Sequence, residues 1–200
     1  MAAPIEFYFD FSSPYGYLGA QRIDETGAKH GREVAWKPFL LGAVFKTTRS
    51  EPLLGIPMKG EYARIDMPRV ARRLGVPFTM PSTFPFMSVA ACRAYYWLLD
   101  RDPAKAKELA KAIYRASFGE GRDMGGAEAV IEVAAGLGID GAELSAALQD
   151  QAVKDRLRLE VDSGIEKGVF GSPFIFVDGE PFWGHDRLDT IDKWLETGGW

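Results

Sequence analysis

Three short stretches of this sequence carry residues able to handle an anionic or sulfur-bearing ligand. The first is FDFSSPYGYL, residues 9–18, where Ser13 and Pro14 follow an aromatic run. Serine caps a helix well and proline suits the first helical position, so a helix is expected to start here. Free N–H groups and the dipole at such an end favour negative charge, and a thiolate placed there has its pKa lowered. Many redox proteins carry a cysteine pair at this kind of junction, yet the corresponding positions here are Ser13 and Gly16. A bound cofactor could bring the missing thiol, with Ser13 donating a hydrogen bond to its sulfur. The alternative is that Ser13 only caps its helix.

The second stretch is Gly171-Ser172-Pro173. The bond before a proline reaches the cis form at a cost of only about 0.5–1 kcal/mol. A cis Pro173 facing the first helix would leave the backbone N–H and C=O of Ser172 open to an extended peptide. An ordinary trans proline opening a strand is the alternative. The third stretch is Gly184-His185-Asp186-Arg187. Asp186 can cap a final helix, or bind an ammonium group of a ligand while nearby N–H groups hold the ligand's carboxylate. Lys59, in PMKGEY, could pair with a carboxylate, although a lone loop lysine is usually solvated. Arg64, Arg69, Arg72 and Arg73 cluster near it, mostly as an exposed helix face, with one able to receive an acidic substrate.

Other chemistries find little support. Cys92 sits in an apolar helix between Ala91 and Arg93, a packing position rather than a nucleophile's. It is the single cysteine, so no intrachain disulfide forms, and two histidines far apart complete no metal-ligand set. His30 precedes a glycine at a helix end, where a cation is favourable, and a structural role is expected of it. Neither standard Gly-rich phosphate loop is present. A net charge of -4 gives no general attraction to nucleic acid or to an anionic membrane. The start, MAAPIEFYFD, lacks the pattern of a signal peptide, and no apolar run approaches the ~20 residues that span a bilayer. A cytoplasmic protein with neither partner is expected.

The elements that must position these residues follow from periodicity. Residues 5–11 read as a buried strand, a helix runs from Ser13 to about residue 30, and residues 33–39 form a second strand. That βαβ unit implies a right-handed crossover and a parallel pair. From Leu40 to about Pro85 the chain is rich in Gly and Pro and reads as an ordered loop. Helices are then expected over 86–99, 103–118 and 127–136. A fourth starts at Asp140 with Glu143 as a capping box, and a fifth carries Val153, Leu157, Val161 and Ile165. Residues 174–177, an Asp178-Gly179 turn and residues 181–183 make a hairpin, and Asp186 begins a terminal helix with Leu188, Ile191 and Leu195 on one face. βαβ followed by ββα is the thioredoxin order. The expected fold is therefore α/β: a thioredoxin-like sheet from residues 1–45 and 168–200, with residues 46–167 as a loop and a large all-helical insertion.

The motifs FYFDFSSPYGYLG, KPFLLGAVFK, PMKGEY and VFGSPFIFVDGEPFWGHDRLD, in that order along the chain, resemble the 2-hydroxychromene-2-carboxylate isomerases. These are similar to kappa-class glutathione transferases and belong with the DsbA-like thioredoxin proteins. The resemblance covers essentially the whole chain and implies that it binds glutathione. It places Ser13 beside the glutathione sulfur as the catalytic residue and pairs the backbone of Ser172, before cis-Pro173, with the cysteinyl unit. It brings His185 and Asp186 to the γ-glutamyl end and Lys59 to the tripeptide. Ser50 takes the place of the kappa-class loop asparagine, and His185 departs from the small or amide residue usual in its motif.

The activity implied is interconversion of 2-hydroxychromene-2-carboxylate and trans-o-hydroxybenzylidenepyruvate, a step of naphthalene-type catabolism. A thiolate adding to the conjugated system would turn a double bond into a single bond, allow rotation, and leave again. The family also implies a homodimer acting on a small aromatic carboxylate. Competing readings are a kappa-like transferase or peroxidase, and a glutathione-binding protein without catalysis. A dithiol oxidoreductase is rejected, because no second cysteine exists to resolve a mixed disulfide.

Overall fold

The computed structural model describes residues 2–200. The N-terminal aromatic run forms strand β1 (Ile5–Phe9), in which only Glu6 is not buried. Helices α1 (Pro14–Ala20) and α2 (Ile23–Lys29) lead to strand β2 (Val34–Pro38), which pairs parallel with β1 from Ile5–Val34 to Phe9–Pro38. At the other end of the chain, β3 (Phe174–Val177) pairs antiparallel with β1, and β4 (Glu180–Trp183) with β3. The sheet order is β2-β1-β3-β4. The Asp178-Gly179 turn has φ of 52° and 93°, the doubly positive geometry of a two-residue hairpin, as expected of that pair.

Between the two halves of the sheet lie α3 (Gly42–Thr48), a 3-10 turn (Leu53–Gly55) and α4 (Lys59–Leu74). Then come α5 (Val89–Leu99), α6 (Pro103–Tyr114), α7 (Ala127–Ala135), α8 (Gly141–Gln149) and α9 (Gln151–Glu166). Past Tyr114 the chain widens into one π turn, Arg115–Gly119. A 3-10 turn, His185–Arg187, precedes the last helix, α10 (Leu188–Thr197). No described helix is long and apolar enough to cross a membrane.

Four expectations need correction. The strand expected over 5–11 stops at Phe9, because the Asp10 N–H goes to the Ser172 hydroxyl instead of a strand ladder (2.9 Å). The first helix is broken at Gln21 and Arg22, with Arg22 at φ -122°, ψ -23°. That break lets α2 meet α10, where Lys29 and His30 both reach Asp192 at 2.7 Å. The stretch read as a loop contains two helices; α4 is 16 residues long and accommodates Pro68 in its interior. Its buried positions Gly60, Ala63, Met67 and Ala71 form a stripe of mostly small residues. Finally, α10 begins at Leu188 rather than Asp186.

Side chains from the helical segment complete the sheet. Glu33 and Phe39 bond backward to β1, so the alternating carbonyls of Trp36 and Pro38 point away from it. The hydroxyls of Tyr95 and Tyr96 on α5 donate to those two carbonyls, each at 2.8 Å. A sheet edge that would otherwise present free acceptors is closed by two buried tyrosines. The rings of Phe9 and Phe11 meet Tyr114 of α6 at 5.5 and 5.4 Å, joining sheet and helices in one aromatic core. Tyr96→Phe keeps the ring but leaves the Pro38 carbonyl unpaired. It should cost about 1–3 kcal/mol by urea denaturation with an unchanged m-value.

Candidate functional site

The chain leaves β1 at Asp10, whose carboxylate ties three segments together. It accepts hydrogen bonds from the Ser12 N–H (2.8 Å), the Leu41 N–H beyond β2 (2.8 Å) and the Ser88 hydroxyl at the start of α5 (2.7 Å). Asp10 is 5% exposed, and burial pushes its carboxyl up, against the downward pull of those three donors. The Ser13 N–H then donates to the Asp10 carbonyl at 2.8 Å, turning the chain into α1.

Ser13 is the N-cap of α1, as expected. Its oxygen accepts the Gly16 N–H at 3.0 Å, with Pro14 at the first helical position. The same hydroxyl donates to the backbone carbonyl of Ser172, also at 3.0 Å. So Ser13 is more than a cap: it bridges the first and last parts of the sheet. The structure modifies one sequence-level argument. With α1 only seven residues long the dipole is small, and of its first-turn donors Pro14 has none while Gly16 is engaged with Ser13. Local donors, above all the Ser13 hydroxyl, carry the electrostatics here.

The Ser172-Pro173 bond is cis. The Ser172 hydroxyl accepts the Asp10 N–H at 2.9 Å, and the Tyr114 hydroxyl donates to the Asp10 carbonyl at 2.9 Å. Tyr114 and Ser172 both press on Gly16. A Cβ at that position would overlap the Tyr114 hydroxyl and lie 2.8 Å from the Ser172 oxygen. The position where a redox pair would carry its second cysteine is therefore filled by a hydroxyl from α6. Cys92 is fully buried, and burial with the nearby Asp10 charge pushes its thiol well up, so it supplies no thiolate.

The third junction closes over the first. The Gly184 N–H donates to the Pro173 carbonyl at 3.0 Å, and the His185 ring stacks on Tyr15 of α1 with centroids 5.0 Å apart and planes 8° from parallel. The Tyr15 hydroxyl donates to Asp66 of α4 at 2.9 Å, and Asp66 also pairs with Arg69 at 2.8 Å. Asp186 makes no cap bond to α10; its carboxylate is exposed and meets Arg187 at 3.3 Å. Lys59 opens α4 and lines a cavity of about 400 Å³ with Tyr15, Leu53, Met58, Tyr62 and Ala63.

The structure thus brings Ser13, Ser172 and Pro173 together, with His185 joined to them through Tyr15 and Lys59 on the cavity that Tyr15 also lines. Ser50 lies apart on the exposed stretch after α3 and does not line that cavity. Sequence reasoning missed Asp10, Tyr15, Asp66 and Tyr114. Only Asp10 had a local signal, a lone carboxylate inside an aromatic run.

With this geometry in place, the chain belongs to the DSBA-like thioredoxin domain family, whose model matches residues 4–196. The fold is the DsbA-like thioredoxin fold with helices inserted between its halves, as the order of strands and helices led us to expect. The chain is 28% identical over 201 residues to the 2-hydroxychromene-2-carboxylate isomerase of Sphingobium xenophagum, covering 98% of this chain and 99% of that protein. It is 28% identical over 204 residues to glutathione s-transferase kappa 2 of Caenorhabditis elegans, covering 96% and 91%. A solved structure of a 2-hydroxychromene-2-carboxylate isomerase matches with a TM-score of 0.87 at 26% identity, over 96% of this chain and 94% of that one.

Gly16→Ala should destabilise the fold by about 1–3 kcal/mol, the usual cost of overpacking. Removing the hydroxyl it strikes should relieve it. In a double-mutant cycle, Gly16→Ala with Tyr114→Phe should lose less than the sum of the single losses. His185 yields a pH dependence. Burial holds its imidazole below the ordinary 6.5; Asp186 and Asp66 pull it back up, while Arg22 and Arg73 push it down. Its contribution to stability is then full above pH 6.5 and declines as pH falls from there through the lower folded value. Denaturation midpoints of His185→Gln should lack that part of the acid-side decline.

Proposed function

We propose that this chain is a glutathione-dependent isomerase that interconverts 2-hydroxychromene-2-carboxylate and trans-o-hydroxybenzylidenepyruvate. The observation that carries the reading is the pair Ser13 and Gly16. The first offers a hydroxyl where a thiol would stand, and the Tyr114 hydroxyl fills the space of the second. With its one cysteine buried elsewhere, sulfur chemistry at this junction needs a thiol from a ligand. Near full-length likeness to isomerases of that name supports the same assignment.

The residues present fit a zwitterionic tripeptide. Ser13 offers a hydroxyl donor, and Ser172 offers a backbone carbonyl beside cis-Pro173. Asp186 presents an exposed carboxylate for an ammonium group, and Lys59 an exposed ammonium for a carboxylate. His185 would border the γ-glutamyl end, whereas Ser50, set apart from the cavity that Lys59 lines, is left out of the set. Glutathione, when bound, would supply a thiolate able to add reversibly to a conjugated double bond and so permit its rotation. Ser13, whose hydroxyl donates to the Ser172 carbonyl in this structure, would turn that donor to the sulfur and so favour its ionised form. The walls given by Tyr15, Leu53, Met58 and Tyr62 suit an aromatic substrate.

The equal identity to a kappa-class transferase favours a second reading, conjugation or peroxide reduction at the same site. Thiol balance separates the two. An isomerase should convert the chromene, followed by its spectrum, while the free thiol titre stays constant; loss of thiol in step with product would reverse the assignment. Ser13→Ala should lower turnover on the order of 100-fold, as loss of one well-placed donor does. Its stability should fall by about 1–3 kcal/mol, since the Gly16 N–H and the Ser172 carbonyl each lose a partner. Near-normal turnover in that variant would remove Ser13 from the chemistry.

A further inference from the structure

The cavity that Lys59 lines has two tyrosine walls, and one carboxylate holds both. Asp66 lies one turn after Tyr62 on α4, so the two share a helix face. Its Oδ2 accepts the Tyr15 hydroxyl at 2.9 Å; its Oδ1 accepts the Tyr62 hydroxyl at 3.3 Å and Arg69 at 2.8 Å. Burial pushes the Asp66 carboxyl up, but Arg69, Tyr15 and Tyr62 outweigh it and hold the group below its ordinary range, an ionised acceptor at neutral pH. Each ring is also backed on one face. His185 stacks on Tyr15, and the Arg69 guanidinium lies over Tyr62, 5.6 Å from the ring centroid. Tyr62 is 60% exposed, so these contacts fix it where core packing does not. A ring held by its hydroxyl and by one face has the other face to offer, and both rings line the cavity of about 400 Å³, the size of a small-molecule site.

We propose that Asp66 is a positioning residue that sets which second substrate the site accepts, by holding Tyr15 and Tyr62 as rigid walls for a flat aromatic ring. Asp66 itself does not touch the ligand; it acts through the two rings. The rotamer freedom that the tyrosines would lose on binding is already lost, so a flat ligand that stacks on them keeps the whole gain. An aliphatic chain of similar size gains no stacking and must order its own torsions. The clamp therefore discriminates by shape and rigidity, with no base or nucleophile involved. The inference rests on the aromatic substrate proposed above, and not on glutathione.

The test is calorimetric titration of the full chain with 2-naphthoate and with decanoate, which share a carboxylate and differ in carrying a flat ring or a flexible chain. Wild type should prefer 2-naphthoate. Asp66→Ala should lose that preference, with 2-naphthoate weakened roughly 3–10-fold, the worth of an aromatic contact, and decanoate little changed. A folding defect would weaken both ligands alike. Asp66→Asn still offers an oxygen to one tyrosine and an amide N–H to the other, so it should keep most of the preference. Tyr62→Leu, at an exposed position, should fold and lose the preference, and it decides the matter if Asp66→Ala does not fold. The inference is overturned if these two variants keep the wild-type preference, if both ligands weaken equally, or if wild type shows no preference. Asp66→Asn falling as far as Asp66→Ala would overturn it too, because charge rather than positioning would then set the choice. Glutathione titrated into the same samples judges the thiol reading separately: its failure to bind wild type would sink that reading, while the ratio of the two carboxylates still decides this one.

Discussion

A buried carboxylate that accepts three hydrogen bonds fixes the relative position of everything in the site. Asp10 takes one donor from its own turn, one from the chain beyond β2 and one from the start of α5. A lone carboxylate in such a place would be expensive, and the three donors are what make burial of the group tolerable. Its backbone is used as fully as its side chain. The N–H holds Ser172, and the carbonyl accepts both the Ser13 N–H and the Tyr114 hydroxyl. Through this single residue the sheet, the first helix, the cis-proline turn and the helical segment are held in one register.

Tyrosine hydroxyls do comparable work from the helices. Tyr95 and Tyr96 satisfy the outer carbonyls of β2, while Tyr114 reaches the far end of β1. Each is buried, and burial raises its phenol well above the ordinary value, so each remains a neutral donor. The rings of Tyr95 and Tyr114 pack against Phe9 and Phe11, and that of Tyr96 against Tyr95, so apolar burial positions each hydroxyl and the hydroxyl then satisfies backbone that strands alone leave open. This arrangement makes the helical segment part of the site. It also explains why Gly16 lacks a side chain: the space belongs to Tyr114.

Features whose causes are local were legible in the sequence. The Ser13 cap, the Asp178-Gly179 turn, the strands of the sheet and the order that defines the fold all depend on residues within a few positions of one another. The cis-proline could be anticipated only once that order was in hand. What escaped was decided at a distance. The Asp10 N–H meets Ser172 across 162 residues, and Tyr114 meets Asp10 across 104. Helix α4 was hidden because Gly60 and Pro68 read as breakers, while its buried stripe of Ala63, Met67 and Ala71 is weakly apolar. The break at Arg22 follows from packing of α2 on α10, which no local pattern encodes.

The same carboxylate poses an electrostatic problem for the proposed chemistry, and its placement answers it. A negative charge close to Ser13 would oppose a thiolate there, yet Asp10 turns its oxygens toward Ser12, Leu41 and Ser88. Only its peptide dipoles face the Ser13–Ser172 pair. Cys92 lies on the carboxylate side, and its thiol is pushed up by burial first and by the Asp10 charge second. Tyr114 is pushed in the same direction by the same two causes. Burial, with that charge added, therefore keeps the Cys92 thiol and the Tyr114 phenol protonated.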